Sequence, residues 1–149
     1  MIPNRIVIDT NVCLDLFVFR DPRWAALMAA LESGAVEAVT RADCRMEWQM
    51  VLHYSHLPIT DESRPAINAQ FDALITCMAP EALSPRTDIR LPICTDKDDQ
   101  KFLELALGAN AAMLISKDKA VLKLARKTAK LGLFSIIAPQ AWQAPSLPE

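Results

Sequence analysis

The sequence predicts an α/β fold, a three-layer α/β/α sandwich built on a central parallel sheet. Three observations carry this. The apolar blocks Ile6-Val7-Ile8, Ala112-Met113-Leu114-Ile115 and Leu133-Phe134 are continuous rather than alternating, which marks strands buried on both faces. Segments with helical spacing lie between them. Gly and Pro punctuate many of the boundaries. The chain has 149 residues, 52% hydrophobic and 23% charged, which suits one soluble globular domain over residues 1–149.

The elements follow in order. Residues 5–9 form the first strand, and Thr10 to Phe19 a helix directly after it. Asp21-Pro22 starts a second helix, because Asp accepts from first-turn amides and Pro has its φ preset for the first helical position. That helix runs to about Glu32 and stops at Ser33-Gly34. Residues 35–40 alternate weakly and fit a second strand. Arg41 to Tyr54 is helical, with Met46, Met50 and Val51 at apolar spacing, and Pro58 ends the region. Thr60-Asp61-Glu62 opens a helix whose Ile67, Phe71, Leu74 and Ile75 share one face, ending before Pro80. Residues 84–92, with Pro85 and Pro92 around Arg86-Thr87-Asp88, form a loop with at most a short strand at Ile89–Leu91. Thr95-Asp96 caps a helix through Leu107, with Phe102, Leu103 and Ala106 facing inward and Gly108 as its stop. Residues 112–116 are a strand, 118–131 a helix ended by Gly132, and 133–138 a last strand. The tail, residues 143–149, is expected to fray after a turn around Trp142.

Several function classes are excluded. The longest apolar run, Trp24 to Leu31, is far short of the ~20 residues a membrane span needs. Residues 1–20 carry Asp9 and Asp15 and no secretory pattern. Cys13, Cys44, Cys77 and Cys94 form no C-x-x-C pair, which fits reduced, mostly buried thiols in a cytoplasm. His53 and His56 are the only histidines and no cysteine lies near them, so a zinc site is not expected. The net charge of −2 argues against a protein that coats nucleic acid. It leaves room for an enzyme whose own carboxylates hold a metal.

Four acids stand where such an enzyme needs them. Asp9 closes the first strand, and Asp118 follows the strand that ends at Ser116. Ligands of parallel sheets sit at the carboxyl ends of strands, so both acids belong to one rim. Asp99 precedes Phe102, Leu103 and Ala106 by three, four and seven residues, so it points the same way they do. Glu47 lies at the edge of an apolar helical face. Read singly, Asp96 and Asp99 also fit a helix cap with an acidic first turn, Asp118 an N-cap, and Glu47 a solvated residue. Converging carboxylates repel unless a hard divalent cation sits between them, and Mg²⁺ and Mn²⁺ prefer such oxygen ligands. The chemistry implied is phosphodiester hydrolysis by metal-activated water.

With these residues in view, the chain resembles PIN-domain ribonucleases, in the branch that comprises toxins of bacterial toxin–antitoxin pairs. I-V-I-D-T-N-V resembles the first family motif, with Asp9 and its neighbour Asn11; R-M-E-W-Q-M-V-L resembles the second, with Glu47. C-T-D-K-D-D-Q-K-F-L-E-L-A resembles the third, with Asp99 and an accessory Asp96, and A-M-L-I-S-K-D-K-A-V-L the fourth, with Asp118 and Ser116. Many relatives carry Gly where Lys117 stands and a further acid where Ala120 stands. The resemblance implies four or five parallel strands in order 3-2-1-4-5, with Asp9, Glu47, Asp99 and Asp118 as catalytic metal ligands for Mg²⁺ or Mn²⁺. It also implies single-stranded RNA as substrate, a homodimer and a small antitoxin partner.

Lys119, Lys123, Arg126, Lys127 and Lys130 follow Asp118 at near-helical spacing. They are either a solvated face or a phosphate track, in which Lys119 and Lys123 are best placed to bind RNA. Trp24, Trp48 and Trp142 offer either core packing, which is favoured, or base stacking. Rival readings are a PIN-like module that binds RNA or an antitoxin without cutting, a DNA nuclease on the same fold, and a phosphatase of the haloacid-dehalogenase kind. The last usually wants a second Asp two residues after the first, where this chain has Asn11.

Overall fold

The structure is a computed structural model that describes residues 1–84 and 86–145. Pro85, one of the expected loop breakers, and residues 146–149 of the expected frayed tail lie outside the described residues. Five strands form one sheet: β1 (Ile2–Ile8), β2 (Glu37–Thr40), β3 (Ile75–Cys77), β4 (Ala111–Ile115) and β5 (Ser135–Ile137). Every pairing is parallel and the order is β3-β2-β1-β4-β5. The helices are α1 (Thr10–Phe17), α2 (Ala25–Ser33), α3 (Ala42–Val51), α4 (Arg64–Leu74), α5 (Gln100–Gly108), α6 (Lys119–Leu122) and α7 (Ala125–Lys130).

Strand periodicity sorts the apolar residues into two cores. Ile6 and Ile8 of β1 pack with α1, α2 and α4 on one face, while Val7 packs with α5 and Val121 of α6 on the other. A period of two sends successive side chains to opposite faces. The α3 helix contributes Cys44 to the second core and Trp48 and Val51 to the first. It therefore crosses the end of the sheet, which brings Glu47 to the rim.

Local chemistry explains most boundaries. Asp21 accepts from the Arg23 amide and opens a 3-10 turn, Pro22–Trp24, before α2 begins. Gly34 ends α2 with φ of 80°, a conformation that L side chains rarely adopt. Thr60 and Ser63 exchange side-chain and backbone hydrogen bonds of 2.9 and 3.0 Å before α4. A 3-10 turn over Lys97–Asp99 precedes α5, and Asp96 caps it through the Asp98 amide.

The structure departs from expectation at five points. The third strand is Ile75–Cys77, directly continuous with α4, and residues 89–91 form none. Ile75, expected on the helical face with Phe71 and Leu74, instead pairs with Ala38 of β2 and belongs to the sheet. The single helix expected over 118–131 is two, because Leu124 bonds back to Val121, three residues earlier, and tightens the turn. The inward face of α3 is Cys44, Trp48 and Val51, whereas Met46 and Met50 are exposed. The first strand begins at Ile2, with a register irregularity against β4 between Ile2 and Ile6.

Candidate metal centre

The rim is assembled from four chain segments. Asp9 follows β1 as the N-cap of α1 and is 3% exposed. Its amide donates to the Ile115 carbonyl of β4 at 2.9 Å, tying it to the neighbouring strand. Ser116, fully buried after β4, donates its hydroxyl proton to Asp9 Oδ2 at 2.6 Å. The same Ser116 Oγ accepts from the Asp118 amide at 3.0 Å, so one hydroxyl orients both acids. Asp118 Oδ1 accepts from the Ala120 amide at 2.8 Å. That backbone contact sits where many relatives of the resembled family place a further acid.

Asp99 caps α5 and is 8% exposed. Its Oδ2 is buried without a hydrogen-bond partner among the described residues. Asp96, exposed, and Asp118, half-buried, complete a group whose ligand oxygens all lie within 4.8 Å of one another. Asp9 and Glu47 are outside that group, yet the charge of Glu47 bears on Asp9 and that of Asp9 on Asp99.

Electrostatics follow from this crowding. Burial first, then the charges of Glu47 and Asp118, push the Asp9 carboxyl up to about 6 against the lowering effect of Ser116. Burial also leads for Asp99, which rises to about 8, reinforced by the adjoining Asp118 carboxyl and by the charges of Asp9 and Asp96. A metal-free rim at neutral pH therefore retains a proton, chiefly on Asp99, that a divalent cation would displace. The donor set is all oxygen, and Asp99 Oδ2 is buried without a hydrogen-bond partner among the described residues. These residues fit a hard divalent cation.

Glu47 is held differently. Thr10, next to Asp9, donates its hydroxyl to Glu47 Oε2, and Lys101 Nζ donates to Oε1 at 3.0 Å. Lys101 also bonds the Asp98 carbonyl. Asn11 Oδ1 accepts from the Lys117 amide at 3.3 Å, which latches α1 to the turn after β4. Lys117 points away from the acids: its ammonium pairs with Asp15 at 2.8 Å, whose carboxylate also receives the Trp24 indole N–H at 3.0 Å. Lys119 and Lys123 are exposed, on and just after α6. Trp48, 1% exposed, stacks on Phe71 with ring centroids 4.6 Å apart and offers no face to a base. Trp24 is buried and Trp142 packs on the first core.

Thr10, Asp15 and Lys101 were not singled out from the sequence. Thr10 and Lys101 lie inside the D-T-N and D-K-D-D-Q-K stretches already read for their acids, and that proximity was the available signal. Asp15 lay on the predicted helix with no spacing cue to mark it.

No helix among the described residues is long and apolar enough to cross a membrane. No curated protein and no solved structure matches the chain significantly. Residues 5–120 match the family model described as PIN domain, a span that contains Asp9, Glu47, Asp96, Asp99 and Asp118. The chain belongs to the PIN domain family, whose members are generally metal-dependent nucleases.

Proposed function

We propose that the protein is a Mg²⁺- or Mn²⁺-dependent endoribonuclease that hydrolyses single-stranded RNA, and that it is the toxin of a bacterial toxin–antitoxin pair. The observation that carries the nuclease reading is the group of Asp96, Asp99 and Asp118 oxygens within 4.8 Å, with a buried unpartnered oxygen on Asp99.

Asp9, Asp99 and Asp118 would hold the metal, with Asp96 accessory at the exposed edge. A cation bound there polarises a phosphoryl oxygen and acidifies a water molecule. The protein's part is positioning. Ser116 fixes Asp9 and the Asp118 backbone in one contact. Asn11 latches the turn that carries Asp118. Glu47 has both oxygens engaged by Thr10 and Lys101, so it acts through water and orients the attacking molecule. Attack by water leaves a 3′-hydroxyl and a 5′-phosphate. Lys119 and Lys123 supply phosphate contacts beyond the rim. A small antitoxin that covers the site, a homodimer and a cytoplasmic location belong to the same reading.

The test is cleavage of mixed-sequence single-stranded RNA with Mn²⁺ or with chelator, by wild type, Asp9→Asn and Asp118→Asn. Metal-dependent cutting by wild type, lost in both folded variants, is expected. A folded Asp9→Asn protein with full activity would overturn the reading, and inactivity of wild type freed of any co-purified partner would favour a binding module.

A further inference from the structure

Beside the acidic rim lies an open cavity of about 330 Å³ whose lining includes Met46, Glu47, Met50, Tyr54, Asp98 and Lys101. Met46, Met50 and Tyr54 are 59%, 61% and 52% exposed, while the opposite side of α3 is buried. They form one apolar wall, and Glu47 and Lys101 join that wall to the metal centre. We propose that this cavity is a nucleobase subsite, which takes the amino-bearing base (adenine, cytosine or guanine) of a nucleotide next to the scissile bond. The proposal rests on the ribonuclease reading for its place in catalysis, but not for binding.

Size, surface and charge select the occupant. The volume lies at the lower end of small-molecule sites. Methionine thioethers and a tyrosine ring suit a flat aromatic ligand, and base–aromatic stacking tolerates any base. The acids of the lining repel a phosphate, so the base and not the backbone enters. Asp43, which also lines the cavity, is engaged by Arg41 through both oxygens, and Glu47 by Thr10 and Lys101. The exposed Asp98 carboxylate takes part in no hydrogen bond among the described residues. A carboxylate accepts from an exocyclic amino group, which uracil lacks. Lys101 spends two of its three N–H donors on Glu47 and the Asp98 carbonyl, which leaves one for a carbonyl or phosphate oxygen at the cavity mouth.

The test uses the full chain labelled with ¹³C at methionine methyls, assigned through Met46→Leu and Met50→Leu, and titrated with AMP, CMP, GMP and UMP. Expected are shifts of both methyls, with UMP binding about 10-fold or more weakly than the others. Asp98→Asn, whose amide can donate to the uracil carbonyl, is expected to narrow that gap. Equal responses to all four nucleotides, or none, overturn the proposal. Broadening that depends only on protein concentration also overturns it, since it makes this wall an interface between copies. Methyl shifts without RNA cutting keep the subsite and reject the ribonuclease reading; RNA cutting without shifts does the reverse.

Discussion

Asp9 and Asp99 are two buried acids on one rim, and the chain treats them differently. At the strand end, Asp9 receives the Ser116 hydroxyl and its carboxyl settles near about 6. At the helix start, Asp99 has an oxygen with no partner, and burial with the neighbouring charges takes it to about 8. The strand-end seat is completed by the protein itself. The helix-start seat is left for a charge from outside, because an unsatisfied buried carboxylate is costly until something positive meets it.

The largest effect should come from breaking the open side. Asp99→Asn is expected to lower RNA cleavage by at least about 10²-fold. The same change should raise the thermal midpoint of the metal-free protein at pH 8, since it removes a poorly compensated charge. Asp9→Asn should be as inactive but gain less stability, because its acid already had a donor. Parallel cleavage assays and thermal scans of the two variants decide this, and equal gains in midpoint would erase the distinction.

Ser116→Ala attacks the completed side. Removing a hydroxyl that orients ligands typically costs ~10–100-fold in metal affinity, and an Mn²⁺ titration of the folded variant measures it. Unchanged affinity would show that Asp9 needs no help from its neighbour.

Acid titration sharpens the contrast. Both carboxyls sit above their ordinary value of 3.8 in the folded state. Between that value and about 8 the folded chain holds more protons than the unfolded one, so stability of the metal-free protein falls as pH rises. For Asp9 the fall ends near about 6, and for Asp99 it continues to about 8. Saturating Mn²⁺ should remove most of this slope. Thermal midpoints at pH 5, 6.5 and 8, with and without metal, test the sign.

Two smaller effects lie outside the pair. Lys117→Gly leaves the buried Asp15 carboxylate with only the Trp24 donor among the described residues. Because the lysine is 40% exposed, the loss should be about 1 kcal/mol, some 2–4 °C, with cleavage little changed. A large loss of cleavage there would make the Asp15 contact part of the site's positioning. Lys119→Ala and Lys123→Ala should each reduce the salt dependence of RNA binding by about 0.7 in the log–log slope, read from binding at several NaCl concentrations.

Much of this arrangement could be read from the residues alone. Asp9 and Asp118 were legible because continuous apolar runs announce the strand ends that carry them. Asp99 was legible because its spacing to Phe102, Leu103 and Ala106 fixes its direction, and those three are buried. The third strand was not, since it has three residues and follows α4 without a breaker. Nor was the exposure of Met46 and Met50, because α3 carries apolar residues on both sides and periodicity cannot choose between them. Lys101 escaped because a lysine in an acidic stretch looks like ordinary surface until the fold sets it against Glu47 of another helix.

The bond between Ser116 and Asp9 joins residues 107 positions apart. A contact of that range must wait for the intervening chain to form. During synthesis β1 and α1 emerge early, with Asp9 but without its partner. The strand that supplies Ser116, and the acid two residues on, come only after α5 has been made. The acidic centre is thus completed only once β4 and the turn after it have been made: a nascent chain that stops before β4 carries Asp9, Glu47, Asp96 and Asp99 but neither Ser116 nor Asp118, and its first strand lacks a partner on one edge.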